Sequence, residues 1–206
     1  MSGHDARPGR SCPTAYRYPP RSLDRAPEIE AETLLVVGGL YGNVEALAAV
    51  LELAAHEAGP VAIAFNGDFH WFDVDPADFA RVQAAVEAHA ATRGNVETEI
   101  AQEDSGAGCG CAYPADVSDA EVSRSNEILA RLRGTARGFP EARGRLARLP
   151  MNRVARVGDA RVAIVLERRK QVVDRLLGPP FPRPEPHQRS IDRDPMQPGP
   201  EPRGSL

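Results

Sequence analysis

The stretch TLLVVGGLYGNVEALAAVLELAAHEA, residues 33–58, decides the fold expected for this chain. Its first five residues form a short apolar run rich in β-branched side chains, which is typical of a strand. From residue 43 onward the apolar side chains recur at helical spacing, at Leu47, Val50, Leu51 and Ala54. GGLYGN, residues 38–43, lies between the two patterns and contains three glycines. The stretch therefore predicts a strand, a tight turn whose backbone approaches a ligand closely, and a helix.

The same alternation continues along the chain. VAIAFN, residues 61–66, is an uninterrupted apolar run of the kind that forms a strand buried on both faces. Proline in a first-turn position opens a helix over 76–90, and a capping box at 118–121 opens another over 119–134. Two strand-like runs flank Gly-Asp-Ala at 158–160, which predicts a hairpin. This order predicts the α/β class, with a mainly parallel, buried sheet and helices outside it.

Proline marks the ends of the folded part. Residues 1–30 and 179–206 hold most of the 19 prolines and show no apolar period, so we expect two disordered tails. Residues 31–178 then form one domain of ordinary size, which ends in a helix over 166–177. The composition changes sharply after residue 165, and this change suggests the hypothesis that the domain is incomplete at its C-terminus.

Charge is distributed unevenly and excludes some classes of function. Residues 31–110 contain thirteen acidic and two basic side chains, whereas residues 111–165 contain six acidic and ten basic ones. The acidic half repels phosphate backbones, so no nucleic-acid partner is expected. An acidic half of this kind can bind divalent metal ions, although such a run of acidic residues more often forms a solvated face. No apolar run is long enough to span a membrane and no signal peptide is evident, so we predict a cytoplasmic protein without a membrane partner.

Three loops are predicted to meet at the carboxyl ends of the strands, where ligands bind in sheets of this kind. They are GGLYGN at 38–43, GDFHWFD at 67–73 and RGNVE at 93–97. Asp68 lies just after the predicted buried strand at 61–66. At this position its carboxylate could bind a hard cation or could cap a turn. His70 lies two residues further on and would face the same side in extended backbone, or would pack beside its aromatic neighbours.

The third loop and a later glycine-rich loop add further candidates. The Asn95 amide oxygen could ligate a metal, and the Arg93 guanidinium could bind phosphate oxygens. Cys109 and Cys111 form a CxC pair with no second ligand pair at the spacing that zinc requires. For these cysteines we predict small, partly buried thiols in a tight loop.

Taken together, the three loops resemble those of the calcineurin-like metallophosphoesterases. The signature of that family reads Asp-x-His-Gly-Asn, then Gly-Asp, then Gly-Asn-His-Asp; this chain has GLYGN, NGD and RGNVE in the same order. The resemblance covers residues 33–165. It implies a metallophosphoesterase-like α/β sandwich with a central, mostly parallel sheet, and metal-dependent hydrolysis of a phosphate mono- or diester. It also implies that Asp68 and Asn95 are metal ligands.

The departures from the signature narrow that expectation. Gly39 and Tyr41 stand where the family has a ligating aspartate and histidine, and Val96 replaces the histidine that assists the leaving group. We therefore predict a single divalent ion (Mn, Fe, Zn or Mg) at Asp68, Asn95 and His70. Phosphate is expected at Gly42, Asn43 and Arg93, and no catalytic side chain is assigned. The alternative is a non-catalytic relative that binds a small phosphorylated molecule or a partner protein.

Overall fold

The structure is a computed structural model, which describes residues 7–11, 18–103 and 106–166. Apart from Leu166, the predicted helix over 166–177 lies outside the described residues, and so does the predicted tail over 179–206. The described part is an α/β structure of six strands and five α-helices. None of the helices in the described part is long and apolar enough to cross a membrane.

A parallel sheet forms the first part of the fold. Its strands are β2 (Thr33–Val37), β3 (Val61–Asn66) and β4 (Ala90–Thr92), in the order β2-β3-β4. Val37 pairs with Phe65, and Asn66 pairs with Thr92, so the three carboxyl ends lie at one edge of the sheet. The strands at 33–38 and 61–66 were both predicted, and the structure confirms them.

Five helices accompany the strands. They are α1 (Val44–Ala55), α2 (Pro76–Glu87), α3 (Asn95–Ala101), α4 (Asp119–Arg137) and α5 (Pro140–Arg148). The larger core cluster joins side chains of β3, such as Phe65, to helix residues such as Phe79, Leu132 and Leu146. The capping box predicted for α4 is present, with Ser118 as the cap. The helices therefore cover one face of the parallel sheet.

The predicted hairpin forms, but it joins a second sheet. Its strands are β5 (Asn152–Val157) and β6 (Ala160–Val165), and β1 (Ile29–Ala31) pairs in parallel with β5. A smaller apolar cluster of Ala64, Ala155 and Ile164 takes further side chains from the remaining strands, so it lies between the two sheets. The expectation of one central sheet is corrected accordingly. Small side chains on facing strands allow the two sheets to pack face to face.

Part of the segment predicted as an N-terminal tail has defined contacts. Gly9 N donates to Ala107 O at 2.8 Å, and the Asn126 amide donates to Pro8 O at 3.1 Å. Pro20–Leu23 forms a 3₁₀ helix, and β1 begins within the predicted tail. The sequence shows no apolar period here because hydrogen bonds to Ala107 and to Asn126 of α4, rather than a hydrophobic face, hold residues 7–11.

Candidate functional site

A cavity of about 770 Å³ opens at the carboxyl ends of the parallel strands. Each of the three predicted loops contributes to its lining: Tyr41 from the first, Asp68 from the second, and Asn95 from the third. Helix α4 closes the opposite side with residues that include Arg124 and Ser125. The loops therefore converge as the order of elements predicted.

Backbone hydrogen bonds join the first loop to the second. Tyr41 N donates to Asp68 O at 3.1 Å, and Gly42 N donates to Phe69 O at 2.7 Å. Phe72 N donates back to Tyr41 O at 3.1 Å. The two loops thus form one unit, and the wall of the cavity that they provide is fixed by main-chain geometry rather than by side-chain packing alone.

Gly42 is required by this close approach, because its φ is +76° and an added Cβ would lie 2.6 Å from Asp73 N. We expect Gly42→Ala to lower the free energy of unfolding by about 2–3 kcal/mol, from left-handed strain and displacement of the second loop. Urea unfolding measures the change. Gly144→Ala on α5 is the control: its Cβ would meet only an ordinary contact at 3.5 Å, so stability should stay level or rise. Equal losses in both variants would refute the requirement.

Glu97 joins the second loop to the third and was not among the predicted site residues. Its carboxylate is fully buried and accepts four backbone N–H groups. The donors are Asp68 N at 2.8 Å, Phe69 N at 3.0 Å, His70 N at 3.2 Å and Gly94 N at 2.7 Å. A sequence signal existed: Gly94 and Glu97 have the spacing of a helix N-cap and its N3 acid.

The buried carboxyl has unusual electrostatics. Burial, together with the charge of Asp68, raises the pKa of Glu97 from its ordinary 4.5 to about 7, and His70 and the N–H donors of Gly94 and Asp68 oppose that rise. Burial also raises the pKa of Tyr41, with added contributions from Asp68, Cys111 and Glu97. Both shifts disfavour the charged forms, so Glu97 and Tyr41 keep their protons to higher pH than free side chains do.

Asp68 and Asn95 lie side by side at the floor of the cavity. Asp68 Oδ1 accepts a hydrogen bond from Val96 N at 3.3 Å, the residue next to Asn95. A Cβ on Gly94 would lie 2.1 Å from the same oxygen, so the third loop can approach Asp68 only because residue 94 is glycine. The Asn95 amide donates to Cys109 O at 2.9 Å, which orients this side chain toward the cysteine loop.

His70 does not line the cavity. Its imidazole is fully buried, with Nδ1 at 2.5 Å from Asp73 Oδ2 and Nε2 at 3.0 Å from Gln83 Oε1. The ring stacks on Phe79 at a centroid distance of 4.3 Å. Both nitrogens are engaged within the chain, so the geometry opposes the prediction that His70 ligates a metal. The reason is backbone conformation: Asp68 has φ of +50°, so the alternation assumed for extended backbone does not hold.

The three residues expected to bind phosphate are each engaged elsewhere. Asn43 caps α1 by accepting Ala46 N at 2.8 Å, and Gly42 N is used by the second loop. Asn43 lines a neighbouring cavity of about 540 Å³. The Arg93 guanidinium donates to Ala147 O at 3.0 Å, near the end of α5. The structure does not bring these residues together around one anion.

The donors around Asp68 do not fit a two-metal centre. Within the described residues, no group of three or more His, Cys, Asp or Glu side chains is arranged to hold a metal ion. The Tyr41 ring covers Gly39, since a Cβ there would lie 2.7 Å from the ring. The space in which the resemblance expects an aspartate is thus filled by an aromatic side chain.

The cysteine loop forms a further part of the wall. Cys109 is fully buried, and Cys111 is half-buried and lines the cavity. Cys109 N donates to the Asn126 side chain at 2.9 Å, which holds the loop against α4. The structure agrees with the prediction of small, partly buried thiols.

No protein-family model matches the chain, and no curated protein matches it. Among solved structures, the chain is similar to the crystal structure of a hypothetical protein from Pyrococcus horikoshii OT3. The TM-score is 0.41 and the identity 15%, over 66% of this chain and 54% of that one. The chain thus spans about half the length of that protein.

Proposed function

We propose that the chain is a divergent relative of the calcineurin-like metallophosphoesterases whose cavity binds a small phosphorylated molecule. The observation that carries the proposal is the shared location of Asp68 and Asn95, the two ligand positions retained from the family signature. Both line the cavity at the carboxyl ends of the strands. Ligands of open α/β sheets bind at this place.

Arg124 is the side chain best placed to bind the phosphate. It lies on the face of α4 that lines the cavity, one turn after Glu121. Its guanidinium offers a planar set of donors that matches phosphate oxygens. Ser125, the next residue, adds a hydroxyl that lies 2.9 Å from the Tyr113 hydroxyl. Arg124 takes the role that the sequence suggested for Arg93.

The residues that replace those of the family signature favour binding over two-metal hydrolysis. Tyr41 fills the space above Gly39, and Val96 offers no proton to a leaving group. Glu97 accepts four backbone N–H groups and so serves to join the loops. These residues stabilise the shape of the cavity without supplying the ligands for a pair of metal ions.

Hydrolysis assisted by one ion is the second candidate, and the adjacency of Asp68 and Asn95 favours it. These two residues would hold a Mn, Fe, Zn or Mg ion through oxygen atoms. A bound ion would supply Lewis-acid polarisation of a phosphoryl oxygen. Arg124 would then orient the phosphate group, as in the binding proposal.

4-Nitrophenyl phosphate tests both candidates, because it serves as ligand and as chromogenic substrate. We expect calorimetry to show binding that weakens at least about tenfold in Arg124→Gln, through loss of a charge-assisted contact. Arg131→Gln, exposed on the same helix outside the cavity, is the matched control and should bind as wild type does. Release of nitrophenolate should not rise with manganese.

Each contrary result has a defined meaning. Manganese-stimulated turnover that disappears in Asp68→Asn would establish the one-ion hydrolase and reject the non-catalytic form. If Arg124→Gln and Arg131→Gln weaken binding of 4-nitrophenyl phosphate equally, the phosphate does not bind in this cavity. Absence of binding in wild type would reject the proposed function as a whole.

A further inference from the structure

Strand β2 forms one edge of the parallel sheet. In the order β2-β3-β4 it pairs with β3 alone among the described strands. Its sequence, TLLVV, contains no charged residue and no proline, and Val36 is 46% exposed. Edge strands of native proteins are usually protected from further pairing by charged side chains, prolines or bulges. Because β2 has neither a charge nor a proline, its outer edge can accept another strand.

Helix α1 forms a groove along this edge. Val37 of the strand and Val50 of the helix line the neighbouring cavity of about 540 Å³, which reaches Phe72 beyond the carboxyl end of β2. Leu53 is 54% exposed and lies about one helical turn after Val50, on the same flank of α1. We call the surface formed by Val36, Val37, Val50 and Leu53 the edge groove. It offers apolar contacts to any strand that pairs with β2.

Carboxylates lie at the amino end of the edge groove. Glu32 directly precedes β2, and Glu57 accepts the Thr33 hydroxyl at 3.3 Å. Both glutamates are exposed, and neither forms an ion pair with a lysine or arginine of the described residues. Between Arg25 and Arg81 the chain contains no lysine or arginine. This end of the groove is therefore acidic and complements a basic side chain.

We propose that the edge groove binds an extended segment of a partner protein, which pairs with β2 as a further strand of the sheet and carries a lysine or arginine beside Glu32 and Glu57. Main-chain hydrogen bonds give such complexes their affinity, and contacts of alternate side chains give them their specificity. Every second residue of the segment faces α1, where it meets Val50 and Leu53. The inference is independent of the proposed phosphate ligand, because Val36 and Leu53 lie outside the larger cavity.

Other occupants fit the edge groove less well. A second copy of the chain would bring its own Glu32 and Glu57 to the interface, and its edge groove offers no lysine or arginine in exchange. Like charges facing each other oppose such a pairing. The same carboxylates repel a nucleic-acid backbone. A neutral apolar segment would pair with β2 but would gain nothing from the two glutamates.

Selection from a phage-displayed library of random twelve-residue peptides on the immobilised full-length protein tests the inference. We expect the enriched peptides to alternate apolar residues and to carry lysine or arginine at one end of the alternating run. Fluorescence anisotropy then measures the affinity of the most enriched peptide. Val36→Lys, which places a charge on the edge of the sheet, should weaken that peptide at least about tenfold. Ala163→Lys, at an exposed position of β6 in the other sheet, is the matched control and should bind as wild type does.

A change of charge supplies a second variant that leaves the strand intact. Glu57→Gln should weaken the peptide several-fold, with the larger effect at low salt. Glu45→Gln, exposed on the solvent-facing side of α1, should leave the affinity unchanged.

Three results of the peptide experiment would overturn the inference: no enriched peptide, enrichment of acidic peptides, or equal affinity for wild type and Val36→Lys. An affinity that Glu57→Gln leaves unchanged would also contradict it. Size-exclusion chromatography with light scattering covers the remaining occupant. A wild-type dimer that Val36→Lys converts to a monomer would show that a second copy occupies the edge, and the partner proposal would then fail.

Discussion

Replacing Glu97 by glutamine should lower the free energy of unfolding by about 4 kcal/mol at acidic pH, more than a typical single substitution. The wild-type carboxyl accepts four N–H groups, two on each oxygen. At acidic pH the protonated carboxyl still presents two oxygens, because its hydroxyl oxygen retains acceptor capacity, whereas glutamine keeps one acceptor oxygen and turns an amide N–H₂ toward the other two donors. Two buried N–H groups then lose their acceptor, at a cost of about 1–3 kcal/mol each. Urea unfolding followed by far-UV circular dichroism measures the difference.

Glu103→Gln is the matched control for that experiment. Glu103 lies just after α3, and its side chain is 84% exposed beside Arg143. The same chemical change there should alter stability by less than about 0.5 kcal/mol. If Glu97→Gln behaves like Glu103→Gln, the carboxyl of Glu97 is not what holds the second loop to the third.

The pH dependence of the Glu97→Gln effect has a definite sign. The pKa of Glu97 is raised to about 7 in the folded chain, from 4.5. Between these values the folded protein keeps a proton that the unfolded chain has released. The stabilisation that Glu97 gains from holding this proton is therefore complete below pH 4.5 and is lost as the pH rises through 7. The stability gap between wild type and Glu97→Gln should narrow over this interval. A gap that widens with pH would contradict the raised pKa.

Much of the fold follows from local pattern. The apolar runs at 33–37 and 61–66 become β2 and β3, and the helical spacing after residue 43 becomes α1. Gly158 and Asp159 form the turn between β5 and β6, as their residue types indicate. In each case a period of two or of 3.6 residues, bounded by turn residues, carries the information within a few positions of the chain.

Helices α3 and α5 show no such apolar period in the sequence. NVETEIA forms α3, yet its residues from Asn95 to Ile100 are buried all round, including two glutamates. A helix buried on every side has no apolar stripe to recognise. PEARGRLAR forms α5, in which arginines outnumber large apolar side chains. Arg143 holds this helix to α3 by donating to Ile100 O at 3.0 Å, a tertiary contact that no local pattern reports.

The site was predictable in place but not in detail. Convergence of the three loops follows from strand order, and it brings Asp68 beside Asn95. The orientation of His70 depended on one left-handed residue, Asp68, which no rule of alternation anticipates. Arg124 enters from a helix whose residues lie far along the chain, so only tertiary packing reveals it. Glu97, by contrast, could have been found from its capping-box spacing to Gly94.

The second large effect concerns the other glutamate of α3. Glu99 is fully buried, and its carboxylate lies 2.5 Å from Arg133 Nη2 on α4. Arg133 Nε also donates to Glu99 O at 3.1 Å, so the guanidinium binds both the side chain and the backbone of one residue. This pair fixes α3 against α4, and through α3 it positions the third loop beside the cavity.

Glu99→Gln should therefore lower the free energy of unfolding by about 3–5 kcal/mol, because it removes the buried carboxylate that the Arg133 guanidinium binds. Arg133→Met should cost a similar amount by removing the guanidinium that the buried Glu99 carboxylate binds. The double variant should cost clearly less than the sum, since the two desolvated charges disappear together. The exposed pair Arg156–Glu30, at 3.5 Å, supplies the control cycle, with an expected coupling below about 1 kcal/mol. Additive losses in the Glu99–Arg133 cycle would show that the two charges act independently, and α3 would then be held by its apolar contacts alone.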